Sequence, residues 1–464
     1  MRLREVLMIG LIARLAIAPF FAHPFDVYAW YTTGQNALNG SQPFSSFLVP
    51  YAYSFFLFVF PATLAFNYLS VYTGSYTVPM SSLNPVLNPN VPMNITVVPG
   101  PLFDLLVKLP LIAADLIVAL LVYKLVMRHL SDERLAVSAS ALWFLNPLTI
   151  WVSSGWGMFD TFPALFTILG LYLVLDKRFV YAGISVALAI AMKYYGIVIV
   201  FPLLLLAWQK GRSRGLAECF GGTAVTTIVL SIPLLAGTAS PYTSLVSGST
   251  PSGLYYSGLS FWTAITLSFE GINFSLISDV LVAVLLTAAY VWMWRRSPAT
   301  ALSSASVYFG LPILVLLAAF RFVGENYFVW ILPFAAIIAS RGIRYRWLFW
   351  AMSIVALVSS MTDSLLPYYM LPMATWIGGY LASLLVSVAP YRVAPGGSVT
   401  HTLSLGKVFL AAIGFSATAI LVLTAREWLR GLRANLSGVS DQGSLETLVS
   451  FVNAKARQFL NLRE

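Results

Sequence analysis

The feature that most constrains this chain is a recurrence of apolar runs, many of them near twenty residues long, from residue 3 to about residue 424, separated by short polar connections. A helical run of about 20 apolar residues spans the hydrocarbon core of a bilayer. The chain therefore reads as an all-α, multi-span integral membrane bundle of about 12–13 spans. Composition agrees: 59% of the residues are hydrophobic and 9% charged, with a mean hydropathy of +0.82, whereas soluble domains carry roughly 25% charged residues. The net charge of +10 implies no nucleic-acid partner, because the Lys and Arg residues fall in the short connections. That is the positive-inside signature of membrane orientation.

The basic residues Arg2 and Arg4 place the start of a retained first span, residues 3–21, in the cytoplasm. Arg14 lies inside it, where an unpaired charge costs at least about 2.5 kcal/mol, so it is expected to face the bundle or to form an ion pair. Residues 22–100 form a long external region, in which the Pro-interrupted apolar segment 47–72 reads as a juxtamembrane helix pair or a re-entrant element. Further spans are expected at 101–127, where Lys108 and Asp115 share one helix face, at 135–152 and up to Leu175. A hairpin of two short helices fits 178–210, with its turn at 192–196. Spans at 216–238, 277–294, 301–320, up to Arg341, 347–361, 368–389 and 404–424 complete the bundle, with an interfacial helix at 259–265. Residues 1–424 thus form one membrane domain and 425–464 a tail, which this count leaves outside although Arg426, Arg430 and Arg433 favour the inside. The Asn-x-Ser/Thr triplets at Asn39, Asn94, Asn273 and Asn435 all fall on the expected external side. The single cysteine, Cys219, excludes an intrachain disulfide.

Sorted by this topology, Asp26, Asp160, Lys193, Arg321 and Glu325 gather at the external ends of spans, while most other charges decorate cytoplasmic connections. A carboxylate beside fixed cations suits a reaction in which a hydroxyl attacks carbon and a phosphate leaves. The acid takes the proton and the cation stabilises the departing anion. Each charge also has a structural alternative in pairing with another, and Arg321 with Glu325 has the (i, i+4) spacing of a helical salt bridge. Trp30, Trp156 and Trp262 suit an interfacial aromatic belt by default, or a platform for sugar stacking. With His129 and His401 far from His23, no histidine metal cluster is visible, and no glycine loop for a nucleotide is present.

Four stretches carry a resemblance over about residues 10–340: HPFDVYAWYTTGQNALNG, LLVKLPLIAADLIVALLVY, NPLTIWVSSGWGMFDTFPALF and ALAIAMKYYGIVIVFPLLLL, with ENYFVWILPF in keeping. In this order they resemble the GT-C superfamily of polyprenyl-phosphate-sugar-dependent glycosyltransferases, and within it the branches that build GPI-anchor and N-glycan precursors. The resemblance implies a GT-C type fold with Asp26 as the general base, and Lys193 and Arg321 as the donor-phosphate-binding residues. His23, Tyr28, Trp30, Asp160, Tyr194, Glu325 and Asn326 are then expected to line the substrate site. It implies a dolichyl- or polyprenyl-phosphate sugar, expected to carry mannose, as co-substrate. The acceptor is a lipid-linked glycan or a protein, and the active site lies on the external or lumenal side. The motif of the GPI branch has two acids separated by one residue, whereas here Pro24 stands at the first position, so neither a divalent metal nor any other cofactor is expected. Two other readings stay open: a secondary transporter or lipid-linked-sugar flippase, since buried charges in many spans suit transport, and an inactive relative kept as a subunit.

Overall fold

A computed structural model describes residues 1–40, 55–74, 77–79, 97–236, 259–268, 274–296, 301–363, 369–373 and 405–436. In these the regular secondary structure is helical apart from an antiparallel bridge of β1 (Val78–Pro79) with β2 (Val97–Val98). Helix α1 (Leu3–Ile17) leads to α2 (Pro24–Leu38), and a π-helical turn at Phe55–Val59 opens α3 (Phe60–Thr73). Then follow α4 (Pro101–Leu130), α5 (Glu133–Phe144), α6 (Pro147–Ile150), α7 (Thr161–Leu175), α8 (Phe179–Met192) and α9 (Val200–Ala236). The later part holds α10 (Phe261–Ser268), α11 (Ser275–Arg295), α12 (Leu302–Ala319), α13 (Leu332–Ala339), α14 (Ile343–Asp363) and α15 (Leu405–Leu436).

The protein is an all-α, multi-pass integral membrane bundle. Among the described residues five helices are long and apolar enough to cross a membrane, or six if α5 and the segment Pro147–Trp156, bent by 46°, count as one span. The 12–13 full spans expected are not found there, because several candidates are short: α7 has 15 residues and α8 has 14. The chain breaks at the ends of these short helices into a π-turn at Trp151–Trp156 and 3₁₀ turns at Tyr194–Ile199 and Glu325–Trp330. Irregular backbone is tolerated at membrane depth only where protein or a polar cavity covers it, and the residues of all three turns are largely buried. The hairpin turn expected at Lys193 is present, whereas the span expected at 135–152 is broken at Asn146-Pro147, where the helix ends at Phe144 and restarts at Pro147. Most of the expected span at 368–389, the loop triplets Asn94 and Asn273, and the tail beyond 436 lie outside the described residues.

Charges sort to two ends of the bundle. Arg128 at the end of α4 pairs with Asp176 at 2.8 Å, Arg346 bonds the Ala339 and Ser340 carbonyls, and Arg344 meets Glu427 at 2.7 Å. The last contact corrects the side expected for the C-terminal part: the end of α15 lies with the basic connection at 341–346, where Arg430 also pairs with Glu427 at 3.0 Å. This satisfies the positive-inside bias that the span count had broken. Lys108 sits near the other end of α4, and 20 residues of helix at about 1.5 Å each separate it from Arg128, roughly the thickness of a hydrocarbon core.

Between these ends lies a buried ion pair. Arg14 Nε donates to Asp115 Oδ2 at 2.7 Å, and both side chains are fully buried. The guanidinium also bonds the Phe144 carbonyl at 2.7 Å and Thr149 Oγ1 at 3.2 Å, while Asp115 accepts from Ser153 at 2.7 Å and Thr161 at 2.9 Å. Asp115, which shares a face of α4 with Lys108, pairs with a cation on α1. Sharing a face does not select a neighbour. Removing one partner of a buried pair strands the other charge. Arg14→Met is therefore expected to destabilise the detergent-solubilised protein by about 3–5 kcal/mol in thermal unfolding. Loss of the Arg214–Glu218 pair, with Arg214 88% exposed, should leave the transition unmoved.

Candidate functional site

Asp26 is held by the way its helix starts. His23 is the N-cap of α2, Pro24 occupies the first helical position and Asp26 the third. Proline suits the first position, where its missing N–H costs nothing, and an acid in the first turn is favoured by the helix dipole. The carboxylate turns back onto the cap: Asp26 Oδ2 lies 3.0 Å from His23 Nδ1, which also lies 3.4 Å from the Asp26 amide. The shorter contact, with the proton on Nδ1, is the charge-assisted one. From the π-turn, Trp156 Nε1–H donates to the same carboxylate oxygen at 2.6 Å. The Asp26 side chain keeps 16% of its surface exposed, so it is ordered and still reachable.

Burial opposes ionisation of the Asp26 carboxyl. The His23 ring, the Trp156 N–H and the charge of Lys193 outweigh it and hold the group below its usual range. A carboxylate with a lowered value adds stability that is complete above the usual aspartate range and is lost as the pH falls through the lowered value.

Asp160 heads a second cluster and is fully buried. Its Oδ1 accepts from Lys193 Nζ at 2.6 Å and from Trp330 Nε1 at 2.9 Å, and its Oδ2 from Asn326 Nδ2 at 2.5 Å. The start of α7, the end of α8 and the 3₁₀ turn at Glu325–Trp330 therefore converge on one carboxylate. The Lys193 ammonium also lies 4.3 Å from the ring centre of Tyr327 and 5.1 Å from that of Phe159, a cation–π setting for a buried charge.

The remaining expected residues lie around these clusters. Trp30 is buried, edge-on to Phe58 at 5.4 Å and Phe159 at 5.8 Å, and its N–H has no hydrogen-bond partner among the described residues. Tyr28 is half-buried on α2. The hydroxyl of Tyr194 bonds that of Tyr195, and the ring of Tyr195 lies 5.4 Å from those of Tyr327 and Trp330. Glu325 is buried and accepts from Ser359 at 2.8 Å.

Arg321 stands apart, 23% exposed and 4.0 Å from Asp279. Beside it Phe320, Phe322, Val323, Leu316 and Tyr327 form an apolar cluster around a void too small to hold a water molecule. The expected Arg321–Glu325 helical salt bridge is not formed, because the backbone at 320–324 is not helical and the two side chains have other partners.

The tryptophans correct the belt reading. Trp30, Trp156 and Trp262 are all buried, and Trp262 on α10 donates to the Ala319 carbonyl at 2.7 Å, so the expected interfacial helix is tucked into the bundle. A buried indole N–H needs an acceptor, and the broken helix ends supply carboxylates and free carbonyls. Sequence reasoning missed Trp156 as a partner of Asp26 and Trp330 as a partner of Asp160. Their position beside the breaks was the available signal. Among the described residues no group of three or more His, Cys, Asp or Glu comes together.

The family model described as GPI transamidase subunit PIG-U matches residues 69–249. GPI mannosyltransferase 1 of Saccharomyces cerevisiae is 27% identical over 108 residues, which is 23% of this chain and 26% of the relative. The aligned part of the chain thus spans about a quarter of that relative's length. The PIG-U match covers α4 to α9 with Asp160 and Lys193, and leaves Asp26 and Arg321 outside it. Similarity to GPI-pathway proteins therefore extends over the scaffold that supports Asp26.

The site yields a pH-dependent prediction. Asp26→Asn is expected to lower the melting temperature near neutral pH, and the gap from wild type should close as the pH falls through and below the carboxylate range. A gap independent of pH would show that the ionised carboxylate contributes nothing.

Proposed function

We propose that this protein catalyses inverting transfer of a monosaccharide, mannose, from a dolichyl- or polyprenyl-phosphate donor to a hydroxyl of a lipid-linked glycan or protein acceptor. The reaction takes place on the external or lumenal membrane face. The observation that carries the proposal is the Asp26 carboxylate, aligned by His23 Nδ1 at 3.0 Å and Trp156 Nε1 at 2.6 Å and left partly open.

Asp26 is the general base. It accepts the proton of the acceptor hydroxyl while the oxygen attacks the anomeric carbon; the bond from that carbon to the phosphate oxygen breaks, and the electron pair leaves with the lipid phosphate. Attack opposite the leaving group inverts the anomeric centre, so a β-linked donor gives an α-glycoside. A base with a value below the usual range is ionised throughout the neutral range, at some loss of proton affinity. Its contribution is then chiefly to orient the attacking oxygen and receive the proton late.

Arg321 takes the phosphate. It is partly exposed and its chain neighbours Phe320, Phe322 and Val323 are apolar, a setting that suits an anionic head on a hydrocarbon chain. Lys193 supports both groups at a distance: it is engaged with Asp160 and adds positive potential near Asp26. Asp160, Asn326 and Trp330 hold the helix ends that form the walls of the site.

A second reading follows from the PIG-U match: a subunit of a GPI-pathway assembly that binds lipid-linked glycan without turning it over. Broken helices at the external end also suit the flippase reading. One assay separates the three. Purified protein in proteoliposomes is given dolichyl-phosphate-mannose and candidate lipid-linked acceptors. Transfer is expected, with Asp26→Asn reducing it by about 10²–10⁴-fold. Undiminished transfer by Asp26→Asn would overturn the role of Asp26. Lipid translocation without transfer would favour the flippase, and glycolipid binding without either would favour the subunit.

A further inference from the structure

Lys108 on α4 is fully buried, and neither of its hydrogen bonds goes to an acid. Its ammonium donates to the Ala18 carbonyl at 2.8 Å and to the Phe21 carbonyl. These carbonyls belong to the link between α1 and α2, the last residues before His23. The link is also fixed by the amides of Ala22 and His23, which donate to the Tyr369 carbonyl at 2.9 Å and the Trp156 carbonyl at 3.1 Å.

The stem of Lys108 lies against Gly157. A Cβ built on Gly157 would stand 2.9 Å from Lys108 Cε and 3.6 Å from Val27 Cγ2. Gly157 has φ +91°, a left-handed conformation that glycine adopts without strain, and its amide closes the π-turn on the Val152 carbonyl at 3.1 Å. One side chain therefore touches both segments that deliver partners to Asp26: the link that carries His23 and the turn that carries Trp156. One helical turn before Lys108, Asp104 is fully buried, and neither carboxylate oxygen has a hydrogen-bond partner among the described residues. Its place at i−4 sets it on the same helix face.

We propose that Lys108 is a positioning residue for Asp26. By gathering the carbonyl end of the α1–α2 link and packing beneath Gly157, it sets the register between His23 and Trp156, whose donors converge on the carboxylate. This role rests on the reading of Asp26 as the base, but its physical content, a linkage between Lys108 and two chain segments, can be measured without turnover.

The test is hydrogen–deuterium exchange on the full-length protein in nanodiscs, comparing wild type with Lys108→Met, Lys108→Arg and Gly157→Ala. In Lys108→Met, peptides covering 18–31 and 155–160 are expected to exchange at least about tenfold faster, while peptides in α12 and α13 stay unchanged. Lys108→Arg, which keeps a long cationic donor, should restore most of the protection. Gly157→Ala, which pushes on the Lys108 stem from the other side, should loosen 18–31 as well.

In the transfer assay, Lys108→Met should lower kcat with the donor KM within about twofold of wild type. It should also move the acid limb of kcat/KM to higher pH, because the donors that hold the Asp26 carboxyl low lose their alignment. Unchanged exchange of 18–31 in both Lys108→Met and Gly157→Ala would overturn the proposal, as would faster exchange spread over every helix. If the wild type transfers no sugar under any condition, the assignment of the base fails, while the exchange experiment still decides the linkage.

Discussion

The buried pair of Arg14 and Asp115 is the interaction on which the rest of the bundle depends. Two charges in the hydrocarbon zone are stable only if they meet, and the geometry allows them to meet only when α1 lies against α4 and α5. The hydrogen bonds that complete the pair reach into the broken span through Thr149 and Ser153 and into α7 through Thr161. Thr161 follows Asp160, and the π-turn that contains Ser153 ends at Trp156. One ion pair in the membrane interior thus sets the height and rotation of the two segments from which the upper clusters are built.

Above it, the site is made where helices stop. Three interruptions of regular helix, at 151–156, 194–199 and 325–330, would expose backbone polar groups if they faced lipid. They are largely buried in the bundle instead, and Asp160 draws Lys193, Asn326 and Trp330 together. The Asp160 carboxylate has its acceptor positions occupied, and the Lys193 charge is balanced. Asp26 differs because its two donors approach one oxygen and leave the group partly open. What separates the Asp160 carboxylate from that of Asp26, the proposed base, is how completely their acceptor positions are filled.

Much of this was legible in the sequence, for stated reasons. Apolar runs report span candidates because the bilayer imposes a length, and Lys193-Tyr194-Tyr195-Gly196 marks a break because glycine and charge oppose continuous apolar helix. The acid behind the first span is placed by the cap and the proline that precede it. Partner choice was not legible. Arg14 and Asp115 are 101 positions apart, and helical periodicity says which face a charge occupies without saying which helix will face it. The default for tryptophan at a membrane, the interfacial belt, concealed three buried indoles. The side of the C-terminal helix depended on counting spans, an error that one contact, Arg344 with Glu427, removes.

In the proposed reaction a lipid-phosphate sugar binds with its phosphate on Arg321 and its anomeric carbon facing Asp26. A cryo-electron microscopy structure of the protein with a non-hydrolysable dolichyl-phosphate-mannose analogue measures this directly. The expected result is phosphate density within hydrogen-bond reach of the Arg321 guanidinium, with the sugar between it and α2, and the anomeric carbon far enough from Asp26 to admit one acceptor oxygen. Phosphate density at the basic connections around Arg128 and Arg346, or a sugar turned away from Asp26, would contradict it.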